Sequence, residues 1–258
     1  MQWIDTHTHL YLEQFDRDRD AMLGRAFDAG IVKLLLPNID QDSVDALLAL
    51  CDCYPDKCLP MMGLHPTSVK GDAELQLKVV EHQLSCRKYC AIGEIGIDLY
   101  WDRTFFDAQL RAFRLQLEWA KEMDLPVAIH TREAFPLILQ LVEDAQDGRL
   151  KGVFHCFSGN DNDARRIMDM GFLLGIGGVI TYKKSILPEV IKQIPTDYLL
   201  LETDSPFLPP TPHRGKRNES SFLIETARCL ADIKEISMEE LAQKTTQNAM
   251  NLFKIKEI

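Results

Sequence analysis

Short apolar segments alternate with amphipathic segments along the whole of this 258-residue chain. The apolar segments have the length of strands and begin 20 to 37 residues apart, near Trp3, Ile31, Leu59, Tyr89, Pro126, Gly152, Phe172 and Tyr198. Each interval leaves room for a turn, a helix and a second turn. Because strand and helix repeat eight times in about 250 residues, the pattern predicts an α/β fold of the closed (β/α)8 or TIM-type barrel class.

The segments between the strands carry helical periodicity. Apolar residues within 22–27 form one stripe, and Gly30 follows it as a C-terminal cap. Stripes with the same spacing occur within 44–51 and 110–120. A final helical segment, at about 220–253, is expected to wrap the barrel.

An open, doubly wound parallel sheet is the competing architecture. Its usual dinucleotide-binding version has a G-x-G-x-x-G turn after the first strand, and that motif does not follow the first strand here. Gly175, Gly177 and Gly178 follow a later strand, but their spacing is too short for the motif and is typical of a tight barrel loop. Since no Pro-, Gly- or Ser-rich linker divides the chain, residues 1–258 are expected to form one domain.

The composition narrows the class of protein. The formal net charge is −10, which argues against a protein that coats nucleic acid, because phosphate binding is driven by Lys and Arg. An enzyme that meets phosphate through metal ions and a few local cations is still compatible with this charge. Seven cysteines without framework spacing indicate free thiols in a reducing compartment. The chain shows no leader and no apolar run of about 18 residues, so we expect a cytoplasmic protein with no membrane association and no obligate protein partner.

Two histidines, His7 and His9, end the first predicted strand. Side chains two residues apart on a strand point to the same face, so both imidazoles can bind one metal ion. Neutral imidazole is a favoured ligand of zinc and related ions. Two histidines near an N-terminus can also simply be solvated. The prediction of a metal site therefore depends on further ligands at the ends of later strands.

The active sites of such barrels lie at the C-terminal ends of the strands. Five of the seven histidines fall at these ends. Glu94 lies inside an apolar run, where a buried carboxylate needs a partner and a metal ion is one of few adequate ones. Asp204 ends the last strand, where it could instead cap a helix. The predicted ligand set holds two divalent ions bridged by Glu94 and consists of His7, His9, Glu94, His130, His155 and Asp204.

The positions of these residues at the strand ends indicate which role each one plays in the predicted reaction. Two metal ions about 3.5–4 Å apart can activate water and bind the oxygens of a displaced group. Glu94 and Asp204 are thus the candidate catalytic residues, Asp204 by orienting or deprotonating the attacking water. Asp5 and Glu202 lie two residues before ligand candidates and are expected to orient imidazoles from one layer deeper. His65 is either a turn residue bonded to backbone or a contact to metal or substrate.

Cations near the site would favour a phosphodiester substrate. The candidates are Arg132, Lys183, Lys184, Arg214, Lys216 and Arg217, all of which follow predicted strands 5, 7 or 8. Of these, Arg132 and Arg217 are the predicted substrate contacts, although a run of charge is also typical of a solvated face. Bases of a single strand could stack on aromatic residues such as Tyr100, Trp101 or Tyr182.

These motifs, in this order, resemble the TatD family of metal-dependent deoxyribonucleases, part of the amidohydrolase-like barrels. The resemblance covers nearly the whole chain and rests on IDTHTHL at 4–10, GLHP at 63–66, GEIGID at 93–98, HTR at 130–132, HCFSG at 155–159, ETDSPFL at 202–208 and RGKRNE at 214–219. It implies a β/α barrel that binds one or two divalent cations and hydrolyses DNA phosphodiesters, often as a 3′-to-5′ exonuclease. The substrate would be single-stranded DNA or 3′ ends, and the implied ligands are the six residues named above.

Two residues depart from the family pattern. Tyr11 stands where family members commonly carry an acidic residue, at the expected rim of strand 1, where it could alter substrate fit. Ser220 stands where proline often follows Asn-Glu. Related barrels of the phosphotriesterase and dihydroorotase type bridge their metals with a carboxylated lysine. Strand 4 offers Glu94 and no strand-end lysine, which favours the branch bridged by glutamate.

Two other functions stay open at this point. A hydrolase of small esters, lactones or amides could use the same metal site, and the acidic charge is compatible with it. A non-catalytic metal-binding partner protein is disfavoured, because a structural zinc site would be closed and four-coordinate. The expected ion is Mg²⁺, Mn²⁺ or Zn²⁺. The softness of the mixed imidazole and carboxylate ligands suits Zn²⁺ or Mn²⁺. The chemistry of the resembled family, however, is usually described with Mg²⁺.

Overall fold

The computed structural model describes residues 1–256, and the last two residues of the expected 1–258 domain lie outside the described residues. Eight strands form one sheet in chain order, and every neighbouring pair is parallel. The strands are β1 Trp3–Asp5, β2 Ile31–Pro37, β3 Cys58–Met62, β4 Ala91–Asp98, β5 Val127–Arg132, β6 Gly152–Phe154, β7 Leu173–Ile176 and β8 Leu199–Leu201.

A helix follows each strand, so the predicted (β/α)8 barrel is confirmed and the doubly wound alternative is excluded. The helices are α1 Arg19–Asp28, α2 Val44–Cys53, α3 Ala73–Cys86, α4 Phe106–Met123, α5 Phe135–Ala145, α6 Asp161–Asp169, α7 Leu187–Lys192, α8 Leu223–Lys234 and α9 Met238–Phe253. The expected segment at 220–253 is therefore two helices after a short 3-10 turn. The break lies at Glu235, whose left-handed φ of 56° ends α8.

The first and last strands meet through side chains as well as backbone. The N–H and hydroxyl of Thr6 both donate to the carbonyl of Leu201, at 3.1 and 3.0 Å. The buried Asp5 carboxylate accepts hydrogen bonds from the N–H and hydroxyl of Thr203 and from the hydroxyl of Ser220, at 3.0, 2.6 and 2.6 Å. These hydrogen bonds of Asp5 and Thr6, called the seam below, bring the end of β1 beside the end of β8.

The interior of the barrel is filled at its N-terminal end. One buried apolar cluster takes a residue from nearly every strand and is covered by α9; it includes Ile4, Leu35, Met61, Ala91, Ala128, Val153, Leu200, Leu252 and Phe253. These apolar side chains fill the interior of the barrel at this end. Polar side chains at the other end of the strands are left to form the site.

A helix that crosses a bilayer must be long and apolar over about 20 residues. Among residues 1–256, no helix combines the length with the sustained apolar character needed to span one.

Candidate metal centre

Glu94 lies at the middle of a ring of imidazoles. It is carried by β4, a strand buried along its whole length, and its side chain is 3% exposed. Burial of a carboxylate without a partner is costly, and here each carboxylate oxygen has imidazole partners. The ring nitrogens that face Glu94 are His155 Nε2 at 2.7 Å, His130 Nδ1 at 2.9 Å, His7 Nε2 at 3.1 Å, His65 Nε2 at 3.2 Å and His9 Nε2 at 3.5 Å.

Asp204 approaches the same cluster from β8. Its Oδ1 lies 3.5 Å from His9 Nε2 and 3.9 Å from His7 Nε2, and its N–H donates to the carbonyl of His7 at 2.9 Å. A turn follows Asp204, and no helix begins before Ser220, so the alternative role as a helix cap is excluded. Its side chain is 14% exposed, which makes it the more accessible of the two carboxylates.

Candidate ligand atoms fall into three overlapping groups. In each group the atoms lie within 4.8 Å of one another; the groups are His7, His155 and Asp204, then His7, His9 and Glu94, then His65, Glu94 and His130. Imidazole nitrogen and carboxylate oxygen together suit first-row divalent ions such as Zn²⁺ and Mn²⁺. The residues therefore fit one or two divalent ions, and His65, expected as a turn or contact residue, joins the candidate ligands.

The charges of the cluster fit a cation as well. Burial disfavours ionisation of Glu94, but His155, His65 and His7 hold its pKa well below its ordinary range. Burial also opposes protonation of His9, yet hydrogen bonds to Asp204 and Glu94 raise its pKa to about 9. The two carboxylates thus stabilise positive charge at this point. A divalent ion would bring positive charge to the same place and would compete with protons for the imidazole nitrogens.

His130 is held from behind by Asp98. Its Nε2 lies 3.0 Å from Asp98 Oδ2, and Asp98 Oδ1 accepts hydrogen bonds from the N–H groups of Tyr100 and Trp101, at 2.9 and 3.1 Å. Asp98 is a residue of the site that was not predicted from the sequence. The spacing in the sequence could have indicated it, because Asp98 lies four residues after Glu94 on one strand and an even spacing places both side chains on one face.

Glu202 lies beside His155, and its predicted role in orienting an imidazole stays a prediction. Its Oε1 lies 3.6 Å from His155 Nδ1 and accepts a hydrogen bond from the N–H of Cys156. Space for this carboxylate is provided by Gly175 on the neighbouring strand, because a Cβ there would lie 2.2 Å from Glu202 Oε2.

Replacing Gly175 with Ala should therefore displace Glu202 and loosen His155. We expect metal affinity or activity to fall about 10- to 100-fold, as for other losses of support behind a ligand, and stability to fall by about 1–3 kcal/mol through overpacking. Chelator competition and thermal unfolding would measure both. Gly24→Ala is the control, because a Cβ at Gly24 meets nothing within 4 Å. Equal metal affinity in the Gly175 variant and the parent would contradict the supporting role.

Among residues 1–256, Asp5 makes no hydrogen bond to an imidazole ring. It accepts a hydrogen bond from the backbone N–H of His7 at 3.4 Å, and its other partners are the Thr203 and Ser220 groups of the seam. Burial raises the pKa of Asp5 to about 7. The structure thus shows Asp5 hydrogen-bonded at the junction of β1 and β8 rather than to a ligand ring, the role expected for it from the sequence. The hydroxyl of Ser220, a departure from the family pattern, has two hydrogen-bond partners at this junction, Asp5 at 2.6 Å and the Thr8 hydroxyl at 3.4 Å.

Tyr11 is buried rather than exposed at the rim. Only 3% of the residue is accessible, and its ring lies edge-on to His9 with the centroids 5.9 Å apart. Tyr11 is therefore buried beside His9, and the expectation that this departure could alter substrate fit stays a prediction.

A cavity of about 550 Å³ opens above the ligand cluster. Its wall includes Arg132 and Trp101, and the guanidinium of Arg132 lies 3.9 Å from the ring centre of Tyr100 and 5.2 Å from that of Trp101. Trp101 is 67% exposed, the highest exposed fraction of any large hydrophobic residue among residues 1–256. A cation and two aromatic faces thus lie together beside the candidate metal ligands.

Arg217 lies elsewhere. Its guanidinium makes two hydrogen bonds to Asp18, at 2.6 and 2.9 Å, donates to the carbonyl of Gln14 at 2.7 Å, and covers the ring of Phe15. The Arg217 hydrogen bonds hold the pKa of Asp18 at about 2. The structure therefore does not bring Arg217 to the cavity. Of the six cations expected near a phosphate, Arg132 alone is among the cavity-lining residues in the described range 1–256.

Known proteins match this chain over nearly its whole length. The family model described as TatD related DNase matches residues 4–254. The uncharacterized metal-dependent hydrolase YabD of Bacillus subtilis is 38% identical over 253 residues, covering 98% of this chain and 99% of that protein. A protein of Pectobacterium parmentieri named 3′-5′ ssDNA/RNA exonuclease TatD is 31% identical over 261 residues, covering 98% and 99%.

A solved structure agrees with these matches. The crystal structure of YjjV, a TatD homolog from Escherichia coli, is 32% identical in sequence, covers 98% of each chain and superposes with a TM-score of 0.93. The family match extends over the residues that form the barrel and the imidazole ring. This chain belongs to the TatD family of metal-dependent hydrolases.

Proposed function

We propose that this protein is a deoxyribonuclease that hydrolyses DNA phosphodiesters, acting on single strands or at 3′ ends. The observation that carries the proposal is the buried Glu94 carboxylate faced by five imidazoles below a cavity whose wall carries Arg132. A relative whose printed name is 3′-5′ ssDNA/RNA exonuclease supports a nucleic-acid substrate. We further propose that residues 1–258 act as one domain in the cytoplasm; seven free cysteines support a reducing compartment.

The proposed ligands of one or two divalent ions are His7, His9, Glu94, His130, His155 and Asp204, with His65 as a further candidate. When bound, such ions supply a Lewis acid that activates water and polarises phosphoryl oxygens. Glu94 places negative charge between the ligand groups. Asp98 holds His130 in orientation from behind, and the Glu202 carboxylate lies beside His155.

Asp204 is the proposed general base. Its carboxylate is more accessible than that of Glu94 and lines the cavity, so it can accept a hydrogen bond from the attacking water and take up its proton. Arg132 would bind a non-bridging oxygen of the phosphodiester, and Trp101 would stack on a base.

The test of this function is hydrolysis of single-stranded DNA labelled at either end. We expect chelator to abolish turnover and Mg²⁺, Mn²⁺ or Zn²⁺ to restore it, and we expect products to shorten from the 3′ end. A panel of small esters, lactones and amides should be assayed beside it. Turnover of a small ester without any phosphodiester would favour the alternative hydrolase, and bound metal without turnover of any substrate would favour a non-catalytic protein.

Arg132 and Arg217 form a matched pair for the substrate contact. We expect Arg132→Ala to raise KM for single-stranded DNA about tenfold, because a hydrogen bond to a charged group contributes about 1.5–3 kcal/mol. The slope of log KM against log salt should also fall by roughly 0.7, the value for one contact to single-stranded phosphate. Arg217→Ala should lower the melting temperature and leave KM unchanged. An equal effect of both variants on KM would remove Arg132 from the proposed substrate site.

A further inference from the structure

The phenol of Tyr11 lies between a metal-ligand candidate and a backbone carbonyl. Its oxygen is 3.1 Å from His9 Nδ1 and 2.6 Å from the carbonyl oxygen of Pro37. We propose that Tyr11 is a positioning residue that fixes which ring nitrogen of His9 carries hydrogen, so that His9 Nε2 keeps a lone pair for the metal ion. This inference rests on the proposed assignment of His9 as a ligand.

The number of hydrogens available decides which of these atoms donates. A phenol has one hydrogen to donate, and a backbone carbonyl has none. At 2.6 Å the Tyr11 hydroxyl must therefore donate to Pro37, since two bare lone pairs would repel at this distance. The phenolic oxygen then offers His9 only an acceptor, and His9 Nδ1 must carry the hydrogen that is shared between them.

A neutral imidazole with hydrogen on Nδ1 has its lone pair on Nε2. His9 Nε2 is the atom that faces the carboxylates, at 3.5 Å from both Glu94 Oε2 and Asp204 Oδ1. The opposite tautomer would aim an N–H at the ion. Tyr11 disfavours that tautomer, and it also disfavours a flipped ring, in which a carbon would face the phenol.

The other imidazoles are held differently. His130 uses the carboxylate of Asp98, whereas Nδ1 of His7 and of His155 finds no hydrogen-bond partner among the described residues. A partner behind a ligating histidine fixes its tautomer and orientation, and its loss typically costs 10- to 100-fold in metal affinity. Because the acceptor behind His9 is a neutral phenol, its hydrogen bond to His9 adds no negative charge to the cluster.

The first experiment is a titration of the metal-free protein with Zn²⁺ in competition with a chromophoric chelator. His9→Ala identifies the binding step to which His9 contributes, and we expect Tyr11→Phe to raise the Kd of that step about 10- to 100-fold. Tyr89→Phe is the matched control: it removes a hydroxyl from another buried tyrosine, one whose partner is Gln83 on α3. It should leave the Kd unchanged.

A second measurement observes the hydrogen directly. In the Zn²⁺-loaded protein with ¹⁵N-labelled histidine, long-range ¹H–¹⁵N spectra should show His9 protonated at Nδ1 and coordinated through Nε2. We expect the Nδ1 hydrogen to exchange faster with water in Tyr11→Phe than in the parent. Neither readout requires turnover of DNA, so failure of the proposed nuclease activity would not affect them.

Three results would overturn the proposed role of Tyr11. A Tyr11→Phe variant whose Kd changes no more than that of Tyr89→Phe would overturn the proposal, even if its melting temperature falls. Coordination of His9 through Nδ1 in the parent would overturn it too. If His9→Ala binds Zn²⁺ as tightly as the parent at every step, the ligand assignment of His9 is wrong and the role of Tyr11 fails with it.

Discussion

Replacing Glu94 with Gln is expected to lower kcat/KM on DNA by at least about a thousandfold and to reduce the amount of bound metal. The carboxylate is the shared neighbour of five imidazole nitrogens at 2.7–3.5 Å. Gln offers a single acceptor oxygen and turns an N–H₂ group toward the other ligands. Stabilisation of charge by metal ions contributes several kcal/mol to catalysis, and each 1.36 kcal/mol corresponds to tenfold in rate.

Steady-state kinetics and metal analysis of the purified variant would measure this effect. Glu143→Gln is the matched control, because Glu143 pairs with Arg166 on the outside of the barrel and should be replaceable without loss of activity. Far-ultraviolet circular dichroism would show that the Glu94 variant is folded. Full activity with unchanged metal content would exclude Glu94 from the centre.

Asp204→Asn is expected to separate chemistry from metal binding. Asp204 belongs to one of the three ligand groups, so ions bound by His65, Glu94 and His130 should be retained. The amide cannot accept the proton of the attacking water, and we expect kcat to fall about 100- to 10,000-fold, the usual contribution of a general base. KM for DNA should change much less than kcat.

The comparison requires kcat, KM and metal stoichiometry for the same preparation. Asp197→Asn provides the control, since Asp197 is an exposed carboxylate near the start of β8 that pairs with Lys244. A kcat within twofold of the parent would refute the role of Asp204. Loss of all metal together with activity would instead make Asp204 essential to ligation.

The fold was predictable because burial imposes a period on the sequence. Each of the eight expected strands is present, with starts displaced by at most two residues; the fourth begins at Ala91 rather than near Tyr89. The division of the last helical segment was also readable. Ser237 caps α9 by accepting a hydrogen bond from the N–H of Glu240, a Ser-x-x-Glu pattern typical of a helix start.

The candidate site was predictable to the extent that strand geometry determines it. Histidines at i and i+2, and polar residues at the ends of parallel strands, converge in any barrel of this class. The positions of Arg217 and Tyr11 could not be predicted in this way. Arg217 pairs with Asp18, 199 residues away, and Tyr11 with Pro37, 26 residues away, and neither separation has a periodic signature.

The seam between β1 and β8 sets an order of events during synthesis. The hydrogen bond from Ser220 to Asp5 joins residues 215 positions apart. At roughly 5–20 residues per second, ribosomes need about 10–40 s to make that length of chain. His7 and His9 therefore leave the ribosome long before Asp204 arrives beside them. On the proposed ligand assignment, the complete centre can form only after β8 and Asp204 have been made, and a nascent chain stalled before β8 would lack it.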